Sequence, residues 1–181
     1  SQGFNKIGDS TFYGFSFLVN VTIPDGIIEI GNYAFAECKA LKYVTIPNGV
    51  QVIGNSSFLG CTSLENIEFP ASVQVIGNFA FFKCSVLKDV VIPEDVHTIG
   101  MSAFQDCLLL SNITIPESVT KIGDFAFEGC KQLENIMISS KKTIIGKHAI
   151  PINCNINNEQ SNEAHKYAIN ENVYYQSMKD V

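Results

Sequence analysis

Residues 24–46 read PDGIIEIGNYAFAECKALKYVTI, and this stretch returns along the chain with a fixed spacing. Gly31 belongs to a series at 8, 31, 54, 77, 100, 123 and 146, evenly spaced and each preceded by Ile. Phe35 belongs to a series at 12, 35, 58, 81, 104 and 127, with Ile150 in the seventh place. Cys recurs at 38, 61, 84, 107 and 130, with Phe15 standing in the first copy. Leu recurs at 18, 41, 64, 87, 110 and 133, and Pro at 24, 47, 70, 93 and 116. A fixed period of this length marks a solenoid built from stacked units. Most glycines, nearly half of the 13 Phe and five of the 6 Cys are absorbed by it, so these counts describe architecture before they describe chemistry.

Each unit carries its own local signals. Leu41-x-x-Val44-x-Ile46 alternates with period two, which predicts a short strand with one buried face. Pro47 ends that strand, because it fixes φ and lacks the ladder donor. A second extended run, Val50-x-x-Ile53, stops at Gly54, and the Ile-Gly pairs read as turns. Asp9, Asn32, Asn55, Asn78 and Asp124 follow the glycines as helix N-caps would. A short helical turn is expected next, with Ala34, Phe35 and Cys38 on its inner side. Met101 and Lys147 occupy the cap position without a capping side chain, so these two turns should be less well capped. One unit cannot bury its apolar face alone, whereas stacked copies can, with same-phase residues about 4.8 Å apart along the axis. Phe12 through Phe127 should form a buried spine.

The pattern Leu-x-x-Val-x-Ile-Pro-x-x-Val-x-x-Ile-Gly-x-x-Ala-Phe-x-x-Cys resembles the 23-residue leucine-rich repeat of BspA-like surface proteins, also called Treponema-type repeats. The resemblance covers residues 1 to about 150. It implies an α/β-type solenoid, a right-handed leucine-rich repeat with a parallel sheet on the concave face and short strands or helical turns on the convex side. It also implies bacterial or protist surface proteins that bind host proteins or mediate adhesion.

The array is expected over 1–150, in units starting at 1, 24, 47, 70, 93, 116 and 139, with a C-terminal cap over 151–181. In the cap region, Ala164, Tyr167 and Ala168 lie at helical spacing within 159–170, and Val173-Tyr174-Tyr175 reads as a closing strand. The chain opens on a repeat boundary with no polar segment before it. It is therefore read as a fragment lacking its N-terminal signal and cap.

Composition excludes several classes. With 46% hydrophobic and 17% charged residues, the chain is too apolar for intrinsic disorder. A net charge of −6 lacks the basic footprint of a nucleic-acid binder, so no nucleic-acid partner is expected. No apolar run approaches a membrane span, so no direct membrane insertion is expected.

Candidate chemistry is sparse. No C-x-x-C pair occurs, and His97, His148 and His165 share no phase with the cysteines, which argues against zinc; no metal or other cofactor is expected. The cysteine series reads as buried free thiols. Cys154 lies one residue out of phase and is the candidate for an exposed thiol or a bond to Cys130. Glu65, Glu68 and Asp89 lie close enough to suggest a glycosidase carboxylate pair. They would sit on an open face without a pocket to raise one pKa, and no catalytic residue is assigned. Asn20, Asn55 and Asn112 open N-glycosylation sequons at about the frequency chance supplies.

The strand face is left for binding. Its ladders read Val19, Lys42, Glu65, Lys88, Ser111, Glu134; then Asn20, Tyr43, Asn66, Asp89, Asn112, Asn135; then Thr22, Thr45, Glu68, Val91, Thr114, Met137. Lys42, Glu65 and Lys88 alternate in sign, so cross-strand pairing is expected among them. Tyr43, Glu65, Glu68, Lys88, Asp89 and Asn112 are the candidate binding residues, because aromatic and charged side chains carry most hot-spot energy. The function expected is non-enzymatic binding of a host, matrix or cell-surface protein by a secreted or cell-surface adhesin. The alternatives are an intracellular scaffold or regulatory interaction domain, and a structural spacer.

Overall fold

The structure is a computed structural model and describes residues 5–158 and 175–177. Every regular element among the described residues is a β-strand. Each repeat unit makes one coil with a strand on each of two sides, and every strand pair is parallel. One side carries β1 (Lys6–Ile7), β3 (Glu29–Ile30), β5 (Val52–Ile53), β7 (Val75–Ile76), β9 (Thr98–Ile99), β11 (Lys121–Ile122) and β13 (Ile144–Ile145) in unbroken sequence order. Partners lie one repeat apart, as Ile30 with Ile53 and Ile53 with Ile76.

The opposite side carries β2 (Asn20–Thr22) and β4 (Tyr43–Thr45) as a pair. A six-stranded sheet follows: β6 (Asn66–Ile67), β8 (Asp89–Val90), β10 (Asn112–Ile115), β12 (Asn135–Ile138), β14 (Asn155–Asn158) and β15 (Tyr175–Ser177). Ladder pairing on this side is thus interrupted between β4 and β6. It continues past residue 150, where Asn155 pairs with Asn135, so the last coil is shorter than those before it. The last described strand, β15, pairs with β14, Ile156 with Tyr175. The helix expected over 159–170, and Val173 and Tyr174, lie outside the described residues.

The predicted helical turn is not formed. Each of the first six coils instead places two residues four apart in the left-handed region, among them Tyr33 and Glu37, Phe79 and Lys83, Ser102 and Asp106. Two such residues are incompatible with a right-handed helix. The hydrogen bonds give the reason. Thr11, Tyr13 and Phe15 donate their amides three residues back, to Gly8, Ser10 and Phe12. The alternate amides of Ser10, Phe12 and Gly14 donate to the carbonyls of Asn32, Ala34 and Ala36 in the next coil, each at 2.8 Å. The turn is therefore a third ladder. A helix, about 10 Å across, could not stack at a strand spacing of about 4.8 Å and would wedge one side of the solenoid open.

The supposed helix caps have a different office. The Asn32 amide donates to Asp9 Oδ1 at 3.0 Å, that of Asn55 to Asn32 Oδ1 at 2.9 Å, and that of Asn78 to Asn55 Oδ1 at 2.8 Å. Each side chain thus receives the following coil's backbone. Met101 and Lys147 are served as donors, to Asn78 Oδ1 and Asp124 Oδ1. What Met101 lacks is an acceptor to offer the next coil.

The recurring glycines also differ from the turn reading. Gly31, Gly54, Gly77, Gly100, Gly123 and Gly146 are absent from the positive-φ residues. They are needed because coils touch there: a Cβ on Gly77 would lie 2.8 Å from the Asn55 amide nitrogen and 2.8 Å from the Gly54 carbonyl carbon. Inside, Phe12, Phe35, Phe58, Phe81, Phe104 and Phe127 stack with centroids 5.1–5.5 Å apart and planes within 10°. The five from Phe35 onward are wholly buried, and Phe12 at the first coil is half-buried. Columns of Ile, Leu, Val, Ala and Cys complete the core.

Candidate binding surface

The cysteine column holds no exposed nucleophile. Cys38, Cys61, Cys84, Cys107, Cys130 and Cys154 are all free and buried. Cys154 is therefore neither exposed nor bonded to Cys130, and its amide donates to the Pro151 carbonyl as the Cys130 amide does to Phe127. It takes the Cys place in a coil whose phase has slipped by one residue. Each in-phase thiol donates to a Phe carbonyl in the preceding coil, as Cys84 Sγ to the Phe58 oxygen at 3.2 Å and Cys107 Sγ to that of Phe81 at 3.3 Å. Burial pushes Cys130 and Cys154 up to about 12 and raises the other four thiols as well. Thiols held neutral in this way are poor nucleophiles and poor metal ligands.

On the strand face, alternation sends Val44, Ile67, Val90 and Ile113 inward and leaves Tyr43, Asn66, Asp89 and Asn112 exposed. Tyr43 is 51% exposed and pairs with Asn20 in the two-stranded sheet. Asp89 sits between Asn66 and Asn112 in the six-stranded sheet. Glu65 and Lys88 precede β6 and β8, and Glu68 follows β6. The structure thus brings five candidates, Glu65, Glu68, Lys88, Asp89 and Asn112, to one sheet and places Tyr43 across the break. The expected pairing of Lys42, Glu65 and Lys88 does not form; the ion pairs among the described residues are Lys6 with Asp9 and Glu29, and Lys39 with Glu37. Solvated carboxylates and ammonium groups gain too little from contact to fix their side chains. Asn20 and Asn112, exposed on strands of this face, share one phase of the repeat, while Asn55 is exposed on the turn side.

Two grooves lie beside these residues, and the sequence reading missed them. One of ≈ 410 Å³ is lined by Phe69, Ala71, Val91, Pro93, Glu94 and Asp95. The other, ≈ 330 Å³, lies between β8 and β10, where Val91 and Glu94 face Thr114 and Pro116. Val91 is 79% exposed in a column otherwise made of Thr, Glu and Met. Phe69 replaces the Ile of its column and is only partly buried, its ring edge-on to Phe81 at 5.6 Å. The signal was present as two neighbouring departures from the repeat. Among the described residues, no group of three or more His, Cys, Asp or Glu side chains gathers to hold a metal ion. No helix among them is long and apolar enough to cross a membrane.

Comparison with known proteins is consistent on the fold. A leucine-rich repeat protein of T. pallidum (TpLRR) superposes with a TM-score of 0.71 at 29% identity, covering 94% of this chain and 78% of that one. The pneumococcal vaccine antigen PcpA superposes with a TM-score of 0.74 at 22% identity, over 87% of this chain and 41% of PcpA. A leucine-rich cell surface protein of Faecalibacterium prausnitzii gives 0.50 at 24% identity, over 88% and 59%. The present chain thus spans well under half of PcpA. No curated protein sequence matches. The profile of the BspA type leucine rich repeat region matches in six copies, over residues 1–109 and 52–179. The chain belongs to the BspA-type leucine-rich repeat family.

Proposed function

We propose that the chain is a non-enzymatic protein-binding module whose strand face, centred on Tyr43, Glu65, Glu68, Lys88, Asp89 and Asn112, recognises a host or matrix protein at a bacterial cell surface. The observation that carries the reading is the contrast between columns. The buried Phe, Cys and Leu columns repeat one residue type from coil to coil and the other core columns stay almost wholly aliphatic, whereas the exposed positions of the strand face change in charge and polarity at nearly every coil. A surface free of packing demands, on a rigid ladder, is where recognition is encoded in solenoids. Membership of a family of protein-interaction repeats supports it, and so do the names of two fold relatives, a vaccine antigen and a cell surface protein. Residues 151–181 serve in this reading as the cap that closes the array. An intracellular scaffold remains the second reading, favoured by six free buried thiols, which suit a reducing compartment.

The test is direct binding of the chain to a panel of immobilised extracellular-matrix proteins, repeated with Tyr43→Ala/Lys88→Ala. Loss of two central hot-spot side chains should weaken capture about tenfold or more. The melting temperature should hold, because both side chains are exposed. Undiminished binding by the double variant overturns the assignment of the face.

A further inference from the structure

The two grooves that meet at Val91 share one lining residue besides Val91 itself, Glu94. Their position follows from the ladder. β10 and β12 pair over four residues, from Asn112 with Asn135 to Ile115 with Ile138. β8 and β10 pair at Asp89 with Asn112 alone, and β8 ends at Val90. Beyond that point the strands are no longer paired, and the second groove opens between them. Val91 stands at its mouth, and Phe69 and Ala71 supply an apolar wall on the other side. A side chain as exposed and apolar as Val91, in a column of Thr and Glu with one less exposed Met, gains by being covered.

The rim has one sign. The charged residues that line the grooves, Asp89, Glu94 and Asp95, are all acidic and exposed, and none of them is in an ion pair among the described residues. No lysine lines either groove, and the chain has no arginine. Resting on the protein-binding reading above, we propose that this double groove docks a cationic segment of a partner protein, one apolar side chain covering Val91 between Lys or Arg side chains that meet Glu94, Asp95 and Asp89. Charge complementarity sets the orientation and the encounter rate, and burial of Val91 and Phe69 holds the segment in place.

A random peptide library displayed on phage, selected on the full chain, tests this. The expected consensus is an apolar residue flanked by Lys or Arg. Synthetic peptides of that consensus should bind Val91→Thr/Glu94→Gln/Asp95→Asn about tenfold or more weakly, from the lost apolar cover and lost charge. Replacing the peptide's basic residues with Glu should abolish binding. Selected peptides that bind wild type and variant alike, or that lose affinity only with Tyr43→Ala/Lys88→Ala, overturn the groove and leave the strand-face reading standing. Selection that enriches no peptide on the folded chain counts against both.

Discussion

At the residue scale, the cysteines show how one position serves several demands. The column needs a small apolar body, and the thiol adds a weak donor aimed at a Phe carbonyl one coil back. The cost falls on ionisation. Unfolded thiols titrate near about 8.5, and burial holds the folded ones higher, Cys130 and Cys154 to about 12. Above the unfolded value the unfolded chain binds fewer protons than the native one, so stability falls as pH rises. The urea midpoint should therefore hold between about pH 6 and 8 and decline above about pH 9, with a shallower decline for Cys84→Ala than for wild type. Equal slopes would show that the thiols stay protonated in both states or ionise alike. Ser57 is the opposite case. It occupies the column of Ala34, Ala80, Ala103, Ala126 and Ala149, and its hydroxyl is buried without a hydrogen-bond partner. Removing an unsatisfied hydroxyl recovers its desolvation penalty, so Ser57→Ala should stabilise by about 1 kcal/mol in denaturant titration.

At the scale of the element, the turn decides how coils adhere. A helix would spend its amides within its own segment; this turn spends alternate amides on the next coil and reinforces the join with the Asp/Asn side chains. The reinforcement lapses at Met101, which receives nothing from the Asp124 amide. Met101→Asn restores the acceptor found at Asn32, Asn55 and Asn78 and should raise stability by about 0.5–1 kcal/mol, read as a higher urea midpoint at unchanged m-value. No gain would mean that water serves the Asp124 amide as well as a side chain would. The strands have their own lapses, between β4 and β6 and beyond Asp89 between β8 and β10, and both fall beside the candidate binding residues.

For the molecule as a whole, stability is a sum over coils and their interfaces. The Phe stack makes this measurable. Phe81 is wholly buried between Phe58 and Phe104, whereas Phe12 has a stacked neighbour in Phe35 and partial exposure. Phe81→Ala should cost about 3–5 kcal/mol, and Phe12→Ala clearly less, in chemical denaturation. Similar losses at the two positions would show that the first coil is as tightly held as the fourth.

The sequence by itself determined the period, the buried columns of the in-phase coils and the family, because each follows from which side chains avoid water along a local run; Cys154, past the phase slip, it placed outside. Phe35, Cys38, Leu41 and Val44 are inside for the reason their spacing suggested. Only the tertiary structure decided what each backbone group does. The amides of Phe12 and Phe35 find the carbonyls of Ala34 and Ser57 one coil ahead, the thiol of Cys84 finds that of Phe58 one coil back, and Gly77 is small because the preceding coil presses on it. Partners that far apart leave no trace in a local pattern, so an Asn that reads as a helix cap proved to be a bond between coils. The grooves at Val91 belong with these: they arise where a ladder stops, and a ladder is a relation between coils.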